Sequence, residues 1–399
     1  MTTISLRGPG DLLATLPFHL GYHPEDALVV VAMEGNTLAF VQRLDLPEAK
    51  DVQDAVGVLM SPLLRHRPDG VFLLGYEAVE DASSLALRVL RESCQDAGIH
   101  VLDVLVVRGG RWFAPLCVDG CCPPEGAHLP APHEVPAVAE FVGMERTALP
   151  SRRALDELLA PDPELQAAVA RECRRLAPES HRPQGSHRPP TKRGKSTRAS
   201  AADRAAGRAG QTREAALDIQ TLEAALSLWA MVCDVGARRP PLEGLSNEEL
   251  ARLAMSMRDV NFRDALIAWT CPGSLPLTMV PDKLARVMER TLPSPAWSRR
   301  GTGTSEGPSR PAKGSEVYVA GQRFESRLRW LCRAVPEPDL PAILTLLANF
   351  CWWRGEGAAA RVALDRAVAI DPDYRLARLL MRMLDLAVRP GEASQGATA

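Results

Sequence analysis

The first candidate for chemistry is a group of polar residues near the N-terminus, just ahead of a strongly apolar run. It comprises Arg7, Asp11, His23, Glu25 and Asp26. An imidazole beside carboxylates can transfer protons near neutral pH. If these side chains converge, they form a catalytic or ligand-binding site at the edge of a sheet. The alternative is a capped helix followed by a Tyr-His-Pro turn whose carboxylates are solvated.

Three cysteines form the second candidate, Cys117, Cys121 and Cys122, with His128 close behind. Thiolates and imidazoles are zinc ligands, so these residues could hold a structural zinc ion in a tetrahedron. The spacing argues against it, because adjacent cysteines rarely reach one ion and no second Cys-x-x-Cys pair follows. A redox pair also lacks the Cys-x-x-Cys geometry. The alternative is a buried Cys117 followed by a rigid Cys-Cys-Pro-Pro turn, and no cofactor is predicted.

Familiar catalytic signatures are absent from the sequence. Gly194-Lys195-Ser196 has the ending of a phosphate-binding loop, but Pro189 stands where the first glycine of that motif is required. No GxSxG, HExxH or dinucleotide-binding glycine pattern occurs. The sequence therefore assigns no reaction, and whether the protein is an enzyme stays open.

The net charge of −2 hides a strong asymmetry along the chain. Residues 1–180 carry 15 basic and 26 acidic side chains, whereas residues 181–213 carry nine basic and one acidic. A domain with a net charge of −11 repels phosphate backbones. Nucleic acid is therefore not expected as a partner, except through the basic segment, which has no aromatic residue to stack on bases.

The clearest boundary lies between Leu176 and Leu217, where no Val, Ile, Leu, Met, Phe, Tyr or Trp occurs. Such a segment cannot bury enough apolar surface to offset its ordering entropy, so a disordered basic linker is expected at 177–216. The other expected units are an α/β domain at 1–176, a helical region at 217–292, a flexible loop at 293–316, a helical region at 317–390 and a disordered tail at 391–399.

The N-terminal domain is predicted to be α/β with a mixed sheet. Three apolar runs rich in β-branched residues are typical of buried strands, at 27–33, 71–76 and 101–107. Glycine turns after the first and third predict hairpins into Thr37–Leu44 and Arg111–Val118. Helices are expected between these strands, so helices should cover a sheet with parallel and antiparallel neighbours.

The C-terminal half has helical periodicity throughout. Its last part places Ala360, Leu364, Ala367 and Pro372 at the spacing of the second helix of a tetratricopeptide unit. An all-α region ending in a tetratricopeptide-like (TPR-like) helical hairpin is therefore predicted. One repeat cannot bury its own faces, so it must pack on neighbouring helices or on a partner. Protein partners are expected through these C-terminal helices.

The chain has no run of about 18 apolar residues, so no membrane-spanning helix is predicted. Its N-terminus lacks the basic and apolar regions of a signal peptide. Nine scattered cysteines suit a reducing compartment where thiols stay free. A cytoplasmic location is expected.

Four runs of the sequence together resemble the actinobacterial domain of unknown function 4192. They are RGPGDLLATLPFHLGYHPEDALVVVAM, RWFAPLCVDGCCPPEGAHLP, TALPSRRALDELLAP and GEGAAARVALDRAVAIDPDYRLARLL. The resemblance covers most of the chain outside the basic linker and residues 293–316. It implies a cytoplasmic protein of a high-GC actinobacterium, and it brings no established reaction or catalytic residue. The basic insert departs from the usual compactness of that family.

Two hypotheses about function follow from these patterns. The first is a non-enzymatic interaction or regulatory protein whose helical half offers a groove to a partner. The alternative is an enzyme or small-ligand-binding protein with its site on the α/β domain, near residues 7–26 and 117–125. Both segments flank predicted core strands, where α/β domains tend to place ligands.

Overall fold

The computed structural model of the chain describes residues 7–118, 120–143, 146–177, 219–236, 242, 244–275, 280–298 and 316–390. The predicted basic linker, apart from its first residue, and the predicted C-terminal tail lie outside the described residues. Most of the predicted loop at 293–316 also lies outside them.

A six-stranded mixed sheet forms the N-terminal part, with the strand order β2-β1-β3-β4-β5-β6. The strands are β1 (Ala27–Glu34), β2 (Thr37–Asp45), β3 (Gly70–Tyr76), β4 (Val101–Arg108), β5 (Arg111–Phe113) and β6 (Ala127–His128). The β3–β4 pair is parallel and the other neighbours are antiparallel. The predicted mixed sheet is confirmed. The strand predicted through Val118 is wrong beyond Phe113, because Pro115 has no N–H for a ladder.

Helices cover both faces of this sheet. α1 (Pro9–Leu20) lies on one face, and α2 (Val52–His66) and α3 (Ser84–Asp96) lie on the other. The side chains of β1 alternate between these faces, with Leu28 on the α2 side and Val29 on the α1 side. Burial on both faces explains why β1 is apolar at successive positions.

The other α-helices include every described element after residue 218, a region that was predicted to be all-helical. They are α4 (Pro136–Gly143), α5 (Arg152–Glu157), α6 (Pro163–Leu176), α7 (Ile219–Cys233), α8 (Asn247–Ser256), α9 (Val260–Thr270), α10 (Asp282–Thr291), α11 (Glu316–Ala334), α12 (Leu340–Arg354), α13 (Gly357–Ile370) and α14 (Arg375–Asp385). α6 packs on α8 and α11. The Gln166 amide donates to Val335 O at 2.8 Å, which joins α6 to the segment after α11.

α12 and α13 form a helical hairpin where the sequence predicted one. Ala360, Leu364 and Ala367 are fully buried, and small side chains let paired helices approach closely. α14 follows Pro372 and packs on both helices. The resemblance of this unit to a tetratricopeptide repeat stays a prediction.

Trp297 is a buried anchor of the helical half, although it falls in the stretch predicted to be a flexible loop. Its ring stacks on Phe324 with 4.3 Å between the centroids, and its Nε1 donates to Thr270 O at 2.8 Å. Its side chain is 1% exposed. The segment after α10 is therefore held against α9 and α11 up to this residue.

The close approach of α3 to β3 yields a stability prediction. A Cβ at Gly75 would lie 2.3 Å from Ser83 Oγ and 2.6 Å from Ser83 Cβ. We expect Gly75→Ala to lower the free energy of unfolding by about 1–3 kcal/mol, because the added methyl overpacks this contact. Urea unfolding measures the change.

The matched control for Gly75→Ala is Gly57→Ala in α2. A Cβ at Gly57 meets no described atom within 4 Å, and alanine favours a helix over glycine. The control should therefore be neutral or should raise the free energy of unfolding. Equal effects of the two substitutions would contradict the packing argument.

Candidate functional site

A cleft of about 1210 Å³ lies between one edge of the sheet and the C-terminal helices. One wall is β2 together with α2. The facing wall is the end of α12, helices α13 and α14, and the segment that follows α14 as far as Pro390. The cleft therefore brings the first third of the sequence against its last few described residues.

β2 presents an unpaired edge to this cleft. It is the last strand of the sheet, so it pairs with β1 alone among the described strands. Leu46 N donates to Asp26 O at 2.8 Å, and in an antiparallel ladder every second residue bonds to the same neighbour. The N–H groups of Val41, Arg43 and Asp45 therefore point away from β1. All three residues line the cleft.

The walls of the cleft combine apolar side chains with arginine–aspartate pairs. Phe40 and Leu44 of β2 and Val58 of α2 contribute apolar surface on one side. Trp352 and Leu384 contribute it on the other. Val58 is 48% exposed, which is high for a large apolar residue beside a folded core. Such a surface suits an occupant with apolar side chains.

A row of ion pairs connects the two walls. Arg152 lies 3.9 Å from Asp45 of β2 and 2.6 Å from Asp365 of α13. Arg361 then pairs with Asp365 at 2.9 Å and with Asp385 of α14. Partly exposed pairs contribute about 0–1 kcal/mol each. Of these pairs, those of Arg152 link β2 to α13, and those of Arg361 link α13 to α14.

The segment after α14 is fastened to the sheet side of the cleft at two points. The Arg389 guanidinium pairs with Glu34 at the end of β1 at 2.8 Å. His66 Nε2 at the end of α2 lies 3.2 Å from Leu386 O. Trp352 Nε1 also donates to Val388 O at 2.9 Å, which holds the segment against α12. The cleft is closed along this side by these contacts.

A largely buried network of charged side chains, centred on Glu325 and Glu356, packs behind the helical wall of the cleft. Burial and the adjacent Glu356 carboxylate raise the pKa of Glu325 to about 7. Burial opposes ionisation of Glu356 too, but Arg354, a hydrogen bond with Glu325 and Arg146 outweigh it and lower its pKa. Below about pH 7, Glu325 is therefore protonated and donates a hydrogen bond to Glu356. Arg146 also lines the cleft, 3.9 Å from Glu356.

The same network contains a group that could be mistaken for a metal site. Ligand atoms of Glu325, Cys351 and Glu356 lie within 4.8 Å of one another. Arg329 pairs with Glu325, and Arg354 pairs with Glu356 at 3.0 Å. These guanidinium groups already balance the carboxyl groups and would repel a cation, so the cluster is better explained as a structural network.

The five residues of the N-terminal candidate site do not lie together. Arg7 and Asp11 form an ion pair of 3.2 Å at the first turn of α1. His23, Glu25 and Asp26 lie beyond the last turn, so a 12-residue helix, about 18 Å long, separates the two groups.

Backbone contacts account for the second group of the N-terminal candidate site. His23 N donates to Leu149 O at 2.9 Å, and Glu25 O accepts from Arg43 at 3.3 Å. Asp26 Oδ1 accepts from Ala78 N at 3.0 Å. These hydrogen bonds hold the residues that precede β1 against the segments that contain Leu149, Arg43 and Ala78.

The cysteine candidates do come together, without the histidine. Cys117 Sγ lies 3.3 Å from Cys121 Sγ, which lies 3.9 Å from Cys122 Sγ. His128 Nε2 instead lies 3.0 Å from the Arg111 guanidinium. The thiols are therefore the part of this candidate site that the structure assembles.

One polar cluster was missed by the sequence reasoning, at the carboxyl ends of the parallel strands β3 and β4. Arg108 pairs with Glu77 at 2.8 Å and with Glu80 at 2.7 Å. Ser83 Oγ donates to the buried Glu77 carboxylate at 2.7 Å. The sequence did contain a signal for this cluster. A charged residue, Glu77 or Arg108, directly follows each of the two apolar strand runs, and α/β sheets place polar sites at such strand ends.

The fold and the cleft define an α/β protein whose helical half stands over one edge of its sheet. The family described as domain of unknown function DUF4192 matches residues 9–299 and 317–391, so the chain belongs to the DUF4192 family. No curated protein and no solved structure matches the chain. Within the part of the chain that the structure describes, no helix is long and apolar enough to cross a membrane.

The neutral Glu325 yields a prediction on pH dependence. Its pKa in the folded chain, about 7, lies above the ordinary value of 4.5, so the folded state binds more protons between these values. This group therefore lowers stability as pH rises from about 4.5 to 7. Gln at this position still donates to Glu356 and does not ionise. We expect Glu325→Gln to gain stability over the wild type as pH rises, on the order of 1–3 kcal/mol.

Urea unfolding of both proteins at about pH 5 and about pH 8 tests this expectation. The exposed substitution Glu289→Gln on α10 is the control for a generic loss of negative charge. The expectation is contradicted if the free energies of unfolding of Glu325→Gln and the wild type differ by the same amount at both pH values. The two carboxyl groups would then not share a proton in the folded chain.

Proposed function

We propose that this protein is a non-enzymatic interaction module that binds an extended segment of a partner protein in the cleft between β2 and helices α13 and α14. The observation that carries this proposal is the unpaired edge of β2, which opens into the cleft. An incoming strand would pair with the outward N–H and C=O groups of Val41, Arg43 and Asp45. Main-chain pairing of this kind supplies affinity, and the cleft walls supply specificity.

The size of the cleft favours a polypeptide over a small molecule. Sites for small molecules measure about 300–1000 Å³. The cleft, at about 1210 Å³, is larger and runs along the length of β2 from Leu38 to Asp45. An extended segment of several residues fits this shape, because it follows a strand edge.

The side chains of the cleft indicate the chemistry of the partner segment. The lining contains five arginines and four aspartates, among apolar residues of both walls. A segment that alternates apolar with neutral or acidic side chains would complement it. The nine free cysteines favour a reducing cytoplasm as the place where the two proteins meet.

The alternative function, an enzyme or small-ligand-binding protein with a site near residues 7–26 and 117–125, has less support. It required the polar residues around α1 to converge. Arg7 and Asp11 lie at one end of that helix, and His23, Glu25 and Asp26 lie at the other. Nucleic acid is not the proposed partner either, because residues 1–180 carry a net charge of −11.

Blocking the cleft tests the proposed function. Gly57 faces the cleft from α2, and a Cβ there meets no described atom within 4 Å, so Gly57→Trp fills the cleft without disturbing the core. Random peptides displayed on phage are selected on the full chain, and one enriched peptide is resynthesised. We expect Gly57→Trp to weaken its binding at least about tenfold, a loss of about 1.4 kcal/mol.

The matched control is Gly143→Trp, which adds the same ring at an exposed helical glycine of α4, outside the cleft. It should bind the peptide as the wild type does, and thermal unfolding should show that both variants are folded. Peptide binding that survives Gly57→Trp, or a selection that enriches no peptide, would count against the proposal.

A further inference from the structure

The accessible cysteines of this chain all lie in one loop, between β5 and β6. Cys117 and Cys122 are half-buried there and Cys121 is exposed, whereas the other six cysteines are buried. Burial raises the pKa of those six thiols, as at Cys94, where it reaches about 11. Buried thiols of this kind are chemically inert, whereas exposed free thiols are open to oxidation. The convergence of three accessible thiols, one exposed and two half-buried, therefore calls for a function.

The spacing of the three sulfur atoms fits a single metal ion. The two shorter Sγ–Sγ distances are 3.3 and 3.9 Å, and all three Sγ atoms lie within 4.8 Å of one another. Zn–S bonds of about 2.3 Å place two thiolates of one tetrahedral ion about 3.8 Å apart. Gly120, at φ 69°, turns the chain just before the adjacent pair Cys121 and Cys122. Although adjacent cysteines rarely share one ion, the Sγ atoms of Cys121 and Cys122 lie 3.9 Å apart in this loop, a distance suited to two ligands of one ion.

A disulfide explains the loop less well than a metal ion. Cys117 and Cys121 could form one, but Cys122 would then have no role. A metal ion would engage all three sulfur atoms, which lie within 4.8 Å of one another, and would hold them as thiolates.

We propose that Cys117, Cys121 and Cys122 bind a thiophilic d10 metal ion, Zn²⁺ or Cu⁺, through three thiolates. Each thiol releases its proton on binding, so one ion displaces three protons to solvent. His128 is engaged by Arg111, which leaves the fourth position of the ion open to water or to a ligand from a partner. The site lies at the β6 edge of the sheet, opposite the β2 edge that borders the cleft.

Metal titration of the reduced full chain tests this site. Zn²⁺ alone and Cu⁺ alone are the two probes, each followed by equilibrium dialysis and metal analysis. We expect about one equivalent of at least one ion, and protection of the three accessible thiols from a thiol-modifying reagent. Cys121→Ser should weaken binding at least about tenfold, because it removes one of three ligands. His128→Asn is the matched control and should bind as the wild type does.

The two titrations show which ion binds and whether the three cysteines hold it. Binding of Zn²⁺ or of Cu⁺ that Cys121→Ser abolishes supports the site and identifies its ion. Less than about 0.1 equivalent of both ions, or binding unchanged in both Cys121→Ser and a second variant, Cys122→Ser, would overturn it. Disulfide formation in air with no metal bound by the reduced chain would also overturn it. Because the loop is exposed, thermal unfolding of each variant should match that of the wild type.

Discussion

The unpaired edge of β2 is the constraint around which this molecule is organised. An open sheet must end somewhere, and its last strand carries a row of N–H and C=O groups without partners. Proteins cover, charge or shorten such edges to prevent uncontrolled pairing between copies. Here α13 and α14 stand opposite the edge, and Arg152 pairs with both Asp45 of β2 and Asp365 of α13. Among the described strands, β2 therefore faces the cleft on its outer edge.

The position of that edge depends on the register of β1. Leu28 and Val30 pack toward α2 and α3, whereas Val29 and Val31 pack toward α1. A slip of one residue would exchange these faces, so both apolar layers fix the register. Since β2 pairs with β1, the same register decides which of its N–H groups face the cleft. The core thus determines which backbone groups of β2 face the cleft.

The sequence predicted the central strands and the helical half, but not the end of β5 or the site. Continuous apolar runs predicted the central strands, because a strand buried on two faces has no polar position. The cleft could not be predicted, since it depends on tertiary contacts such as Arg389 with Glu34 that join distant parts of the chain. The N-terminal polar group looked like a site only because its residues are close in sequence, and α1 separates them in space. The thiol cluster was recognised by composition, but its geometry depends on a turn at Gly120.

Amide hydrogen exchange on the uniformly labelled full chain tests the central claim most directly. In the free chain we expect fast exchange at Val41, Arg43 and Asp45, whose N–H groups face the cleft, and slow exchange at Gln42 and Leu44, which bond to β1. A selected peptide should slow the first three amides and leave the other two unchanged. Slow exchange at all five in the free chain, or no change at the first three on peptide binding, would contradict it.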